Sequence, residues 1–282
     1  MTGHKASGKT TVSTDGDVIT VLSPRMQFVF NKRSGLVTSY KVNGTEYFAE
    51  GFGIQPNFWR APTDNDYGNG GPKREQIWKQ SSKNFNVVDA SLAMDGKDAV
   101  LKVSYLLAAG NLYIATYRIH PSGVVKANYT FTSTEMEAAK TEASEATLMA
   151  TFTPGNEAIR KESSKLVVPR IGVRFRLPAE MEQVTYFGRG PEENYCDRNN
   201  GTLVGEYQAT AEQMYFPYVR PQENGHHTDT RWLMLKKKNG KGLVVYADST
   251  LEFNSLRNSI EDFDGEEATH RDYQWGNRDA EE

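Results

Sequence analysis

An all-β fold, a large sandwich of antiparallel strands, is what the sequence predicts, and three observations carry that prediction. Apolar residues recur at every second position, turn-forming residues fall between those runs, and no amphipathic helix of twelve or more residues links them. Met26, Phe28 and Phe30 alternate with Gln27, Val29 and Asn31, and Leu101, Val103 and Tyr105 alternate with Lys102 and Ser104. The pattern returns at Val125, Ala127, Tyr129 and Phe131. Its clearest instance is Ile171, Val173, Phe175 and Leu177, whose other face is Arg170, Gly172, Arg174 and Arg176. Strands of this kind set one face on a core and the other in water.

The turns follow the same logic. Ser34-Gly35, Asn43-Gly44, Asp95-Gly96, Pro121-Ser122-Gly123 and Asn239-Gly240 supply residues that accept the positive φ of tight hairpins, so the chain reads as a meander. The best helix candidate, residues 135–149, holds Ala, Glu and Lys without an apolar stripe and reads as a solvated insertion. Strand signals lapse across 134–165 and a second half begins near Leu166, which fits two β lobes or one extended sandwich. No repeat of fixed period stands out.

A chain of 282 residues, 38% hydrophobic and 24% charged, is long enough for one large domain or two ordinary ones. Its 33 Lys+Arg against 36 Asp+Glu give a net charge of -3 and no broad positive field, so neither nucleic acid nor a membrane surface is an expected partner. Cys196 is the single cysteine, which excludes an intramolecular disulfide and a multi-thiolate metal site and leaves the redox compartment open. No apolar run of about 18 residues and no signal-peptide pattern is present. Residues 1–16 are polar and read as a disordered or linker lead. Met1 before Thr2-Gly3-His4-Lys5 suits the start of an excised piece or of a natural chain.

Three segments interrupt the alternation with clustered polar, aromatic, Gly and Pro residues, as functional loops do. In the first, prolines flank Phe58-Trp59-Arg60 and glycines follow, so a rigid stretch feeds a mobile loop. Arg60 near Asp64 and Asp66 predicts a charge-assisted network. Asp64, Asp66 and Glu75 stand at the first, third and twelfth places of an EF-hand loop. Gly68 and Asn69 occupy the fifth and sixth, where a ligand and a glycine are required, so calcium is not expected. The second segment contains Gly188-Arg189-Gly190, but no third glycine, helix start or Lys-Ser/Thr follows, which argues against a nucleotide. The third mixes Tyr215, Phe216, Tyr218 and Trp232 with amides and carboxylates, a combination suited to sugar rings.

Two readings stand for Glu193 and Glu223. They form the carboxylate pair of glycoside hydrolysis, or they cap loop backbone and pair with Arg198, Arg220 or Arg231; the second is preferred. His226 and His227, adjacent on an extended chain, point to opposite faces and so do not share a metal; surface or supporting positions are expected for them. Cys196 has no neighbouring His and is expected to be a packed thiol.

The three segments carry a resemblance. They are Gln55-Pro56-Asn57-Phe58-Trp59-Arg60-Ala61-Pro62-Thr63-Asp64-Asn65-Asp66, then Gly188-Arg189-Gly190-Pro191-Glu192-Glu193-Asn194-Tyr195 with Asp197-Arg198, then Pro217-Tyr218-Val219-Arg220-Pro221-Gln222-Glu223-Asn224-Gly225 with Arg231-Trp232. In this order they resemble the C-terminal, small-chain (domain 5-like) domain of bacterial β-galactosidases of glycoside hydrolase family 2, over most of the chain from about Asp17. The resemblance implies an antiparallel β-supersandwich of the galactose mutarotase-like kind over 17–282. It implies that the catalytic glutamates lie in a separate TIM barrel, flanked by jelly-roll and immunoglobulin-like domains, none of which is in this sequence. No catalytic residue is then expected here.

By the same resemblance Trp59, Arg60, Asp64, Asn65, Asp66, Glu193, Asn194, Asp197, Arg198, Gln222, Glu223, Asn224, Arg231 and Trp232 are scaffold or interface residues. Gly68, Asn69, Gly70, Gly71, Lys73 and Arg74 match a loop beside the substrate pocket, and Gly68, Gly70 and Gly71 suit a hinge. The intact enzyme is implied to be a homo-oligomeric retaining hydrolase acting on galactosides; its compartment, bacterial cytoplasm or periplasm, stays open. Its Mg2+, with Na+ a second candidate, is implied to bind in the barrel, and no cofactor or metal is expected in this chain. One departure is the missing Asp-Ser-Trp motif near the family's C-terminus, from which a truncated domain with an open sheet edge is expected. The isolated chain is expected to be inactive. The rival readings are an independent carbohydrate-binding module using Trp59, Tyr67, Tyr218 and Trp232, and an aldose 1-epimerase using His120 and His226.

Overall fold

The structure, a computed structural model, describes residues 8–132 and 167–264. The chain divides into two compact units, Met1–Trp59 with Lys73–Arg176, and Arg60–Pro72 with Leu177–Glu282. Strands dominate both and, among the described residues, every ladder is antiparallel, so the fold is an all-β sandwich with few helices. Among the described residues no helix is long and apolar enough to cross a membrane. The candidate helix at 135–149, the boundary across 134–165 and the stretch after 264 lie outside the described residues.

The first unit contains β1 (Thr11–Asp15), β2 (Val18–Leu22), β3 (Met26–Asn31), β4 (Leu36–Val42) and β5 (Thr45–Glu46), joined as a five-stranded meander. β1 falls within the stretch read as a lead, because Thr11 to Asp15 pair residue by residue with β2. A second sheet has the order β10-β9-β8-β7, from β7 (Phe85–Asp95), β8 (Asp98–Leu107), β9 (Leu112–Ile119) and β10 (Val125–Thr132). Period-two burial is nearly ideal on β3 and β8: Met26, Phe28 and Phe30 are buried, as are Leu101, Val103 and Tyr105. Phe28 meets Tyr117 of β9 with ring centroids 5.6 Å apart, so the two buried faces share one core.

Local turn chemistry sets this register. Asn43 and Gly44, at φ 50° and 77°, close β4 onto β5 as a two-residue hairpin. Gly35 has φ +69°, and a Cβ there would lie 2.7 Å from the Phe85 ring. Its carbonyl accepts the Tyr105 hydroxyl at 3.0 Å.

The strand expected to be clearest is reduced. Only Gly172–Arg174 (β11) is extended in a ladder, paired with β6 (Gln55–Asn57), and Ile171 is exposed. Both of its faces are partly covered: Phe175 packs on Phe48, while Arg174 and Arg176 lie over the Phe52 ring, each 5.4 Å from its centroid. Guanidinium stacking leaves Arg174 half-buried, whereas Arg176 stays exposed.

The second unit is a four-stranded sheet of order β13-β12-β14-β15, from β12 (Gln183–Gly190), β13 (Leu203–Thr210), β14 (His226–Lys236) and β15 (Gly242–Asn254). Val184, Tyr186, Leu233, Leu235 and Phe253 are buried and supply its core. The ladder between β14 and β15 is irregular between His227 and Trp232, where Asp229 adopts φ 51°. Three short helices, α1 (Asp64–Gly68), α2 (Gly71–Arg74) and α3 (Gln76–Lys83), follow the first polar segment, and α4 (Ile260–Phe263) follows β15.

Candidate functional site

The stretch expected to be a loop after Arg60 is partly helical. Thr63 caps α1: its hydroxyl accepts the Asp66 N–H at 3.3 Å, and the Asp66 carboxylate accepts the Thr63 N–H at 2.8 Å. Arg60 pairs with that carboxylate at 2.7 Å. Burial alone would raise the Asp66 pKa, but the Thr63 N–H, the Arg60 guanidinium and the Thr63 hydroxyl hold it below the ordinary carboxylate value. Asp64 faces Arg220 at 3.5 Å, its N–H donates to Gln222 Oε1 at 3.4 Å, and the Arg220 guanidinium lies 3.8 Å from the centre of the Tyr67 ring. The first and third polar segments therefore meet within the second unit. The three carboxylates at EF-hand-like spacing each have an arginine: Asp64 has Arg220, Asp66 has Arg60, and Glu75 has Arg74 at 3.0 Å.

Gly68, Asn69, Gly70, Lys73 and Arg74 are exposed, whereas Gly71 and Pro72 are buried. Asn69 Oδ1 accepts the Gly71 N–H at 2.9 Å, and Gly70 takes φ +74°. The Asn65 carbonyl accepts the Asn69 N–H at 3.1 Å.

The second and third segments also join. Glu193 Oε1 accepts from Arg198 at 2.7 Å and from the Tyr218 hydroxyl, and Oε2 accepts the Gly225 N–H at 2.8 Å. Asn194 is fully buried, and its Nδ2 donates to the carbonyls of Arg189 and Glu192. Glu223 is buried and accepts from Asn254 Nδ2 at 3.0 Å; its carboxylate is 4.0 Å from His226. Tyr195 stacks on His226, 5.1 Å between centroids, and Arg198 covers the Tyr195 ring. Burial, with the Glu223 and Glu193 charges adding to it, pushes the Tyr195 hydroxyl pKa far up.

Of the two positions expected for the histidines, the surface one is excluded, since both are buried. His226 faces Asn254 and Glu252, at 3.0 and 3.1 Å, whereas His227 sits between Tyr186 and Phe253. Cys196 is exposed and not packed, because its short segment turns back through a bridge between Tyr195 and Arg198. Asp197 is exposed beside it. Trp59 is buried, and its carbonyl accepts from Asn57 Nδ2. Arg231 donates to the Asp229 carbonyl, and Trp232 stacks on Phe187 with ring centroids 6.5 Å apart and planes 28° apart. Asn224 is buried, with its Nδ2 on the Gln222 carbonyl at 3.3 Å. His120 belongs to the first unit, where Nδ1 is 2.7 Å from Ser122 Oγ.

Several anchors escaped the sequence reading. Arg189 pairs with Asp229 at 2.5 Å and also donates to the Thr202 carbonyl. Gly188 is required by Thr230: a Cβ would stand 2.9 Å from the Thr230 Cα. Glycine serves strand contact at this position. Among the described residues no group of three or more His, Cys, Asp or Glu side chains is placed to hold a metal ion.

The three polar segments lie inside the range that matches a known family. Residues 23–274 match the family model described as the β-galactosidase small chain. A β-galactosidase of Priestia megaterium is 31% identical over 248 residues, which are 87% of this chain and 21% of that protein. One from Streptococcus thermophilus is 28% identical over 265 residues, 91% of this chain and 22% of that protein. One from an Arthrobacter species is 32% identical over 208 residues, 70% of this chain and 19% of that protein. The chain thus spans about a fifth of the length of these relatives. With nine-tenths of its length inside the family model, it belongs to the β-galactosidase small-chain family.

Proposed function

We propose that this chain serves as the small-chain domain of a longer β-galactosidase, one that hydrolyses terminal β-D-galactosides with retention. In that role it shapes one wall of the active site and supports assembly, while the reacting glutamates and the Mg2+ or Na+ belong to a barrel elsewhere in the enzyme. The observation that carries this reading is the family match over residues 23–274, in relatives about five times as long as the aligned part.

The geometry of the two candidate glutamates supports the scaffold role. Both Glu193 oxygens already accept hydrogen bonds from Arg198, Tyr218 and Gly225. Glu223 is buried against Asn254. A nucleophile or general acid needs a free oxygen aimed at the glycosidic bond. The exposed run of Gly68, Asn69, Gly70, Lys73 and Arg74 is the part assigned to the substrate side.

The test is hydrolysis of a chromogenic β-galactoside by the purified 282-residue chain. No turnover above buffer is expected; turnover by the chain alone would overturn the reading.

A further inference from the structure

α1 buries none of its five residues, and a helix of that length does not persist on its own. Polar contacts hold it. Arg60 fixes its first turn through Asp66, and two residues of the third polar segment reach it from far along the chain. Gln222 Oε1 accepts the Asp64 N–H, 158 positions away. Arg220 sets its guanidinium 3.8 Å from the centre of the Tyr67 ring and 3.5 Å from the Asp64 carboxylate. Asp64 and Tyr67, three positions apart, are neighbours on the helix surface, so one planar cation meets both.

The chain leaves α1 through Gly68, Asn69 and Gly70, all exposed, before Gly71 and Pro72 are buried again. A Cβ at Gly68 or Gly70 would meet nothing within 4 Å. Packing therefore does little to fix this run, and its resting place follows from the helix before it. Arg220 also bears a cost. Its Nε–H is buried and has no acceptor among the described residues, although the side chain is 40% exposed. Turning out into water would satisfy that group; the guanidinium stays on Tyr67 instead. A buried donor left unmet calls for a reason beyond packing.

We infer that Arg220 is a positioning residue for the substrate-side run: by holding Tyr67 and Asp64 it fixes α1, and α1 sets where Gly68, Asn69 and Gly70 rest. The inference rests on the role proposed above and deepens it. Both contacts are individually weak, a stacked cation near the surface and a solvent-screened ion pair, so together they favour the placed run by about tenfold.

The test begins with the 282-residue chain. The N–H groups of Tyr67, Asn69 and Gly70 donate to the carbonyls of Thr63, Asn65 and Tyr67, and their hydrogen exchange reports on α1. Exchange is expected to be about three- to tenfold faster in Arg220→Met, and less so in Arg220→Lys, which keeps the charge without the flat stack. The thermal midpoint is expected to stay the same in both, because α1 adds no buried residue to the core. The kinetic arm uses a chimera of the Priestia megaterium β-galactosidase in which this chain replaces the fifth that it matches. There Arg220→Met is expected to raise KM for a chromogenic β-galactoside about three- to tenfold with kcat within about twofold, since fewer molecules hold the run in place before substrate arrives. Arg220→Lys is expected to recover part of the KM.

Unchanged exchange in Arg220→Met overturns the inference. Faster exchange with unchanged KM in an active chimera overturns the positioning role and leaves the proposed function standing. An assembled chimera that is inactive with Arg220 in place counts against the proposed function, while faster exchange in the isolated variant still supports the hold on α1. A fall in kcat with KM unchanged, or an Arg220→Met chimera that no longer assembles, gives Arg220 a different task and overturns the inference.

Discussion

Asn194 and Thr228, 34 positions apart, are locked together: Asn194 Oδ1 accepts the Thr228 N–H at 3.0 Å and its hydroxyl at 2.6 Å. The Asn194 N–H reaches the His226 carbonyl at 2.8 Å, so this buried amide ties the second polar segment to the start of β14. Its side chain uses both donors and two acceptor directions. Asn194→Leu would leave the buried Thr228 N–H and hydroxyl without this partner, each costing about 1–3 kcal/mol before relaxation, and would free the part-buried carbonyls of Arg189 and Glu192 at smaller cost. The expected net loss is about 3–5 kcal/mol, read as a lower urea midpoint, with Thr228→Ser nearly neutral. A loss of under about 1 kcal/mol for Asn194→Leu would show that the amide does not hold the loop.

Glu193 ties three elements, through Arg198, Tyr218 and the Gly225 N–H, and its side chain is far less exposed than that of Arg198. Glu193→Gln keeps the shape but removes the charge and turns one acceptor into a donor, with an expected cost of about 1–3 kcal/mol. Solvent screens the arginine, so a Glu193/Arg198 double-mutant cycle is expected to return a coupling of only about 1 kcal/mol. Coupling above about 3 kcal/mol would mean that the pair is desolvated.

What the sequence made legible follows from range. Leu101, Val103 and Tyr105 report their burial through period two alone, and Asn43-Gly44 reports its hairpin through the φ values that those residues tolerate. α3 gave no such signal, because Lys79, Ser81 and Ser82 are buried beside Trp78 and break any apolar stripe. α1 was hidden because its capping box has Asp66 where Glu or Gln is the usual third residue. Glu193 with Arg198 is five residues apart and could be weighed from the sequence. Arg189 with Asp229 and Glu223 with Asn254, at 40 and 31 residues, depend on strand register that no local pattern encodes. Cys196 misled because burial statistics for cysteine say nothing about one particular turn.

Gly188 tests the close strand crossing. A methyl group there would stand 2.5 Å from Thr230 Oγ1 and 2.9 Å from its Cα. The backbone atom cannot rotate away, so Gly188→Ala is expected to cost about 1–3 kcal/mol, and pairing it with Thr230→Ser should recover little of that. Full recovery in the double variant, measured by thermal unfolding, would show that only the Thr230 side chain is in the way.

His227 gives the second unit a dependence on pH. Burial lowers its pKa; the Pro191 and Gly225 carbonyls, 3.3 and 3.1 Å from its ring nitrogens, pull the other way without restoring the ordinary value. The unfolded chain then takes up a proton first as pH falls through about 6.5, while the folded ring stays neutral. Its contribution to stability is therefore complete above about pH 6.5 and is lost as pH falls from there toward the lowered folded value. The slope approaches about 1.4 kcal/mol per pH unit for one proton. His227→Gln removes the titration at some cost in packing against Tyr186 and Phe253. Urea midpoints measured from pH 7.5 to 5 should fall more steeply for the native chain than for the variant, because carboxylates common to both cancel in the difference. Parallel curves would show that His227 keeps its unfolded proton affinity after folding.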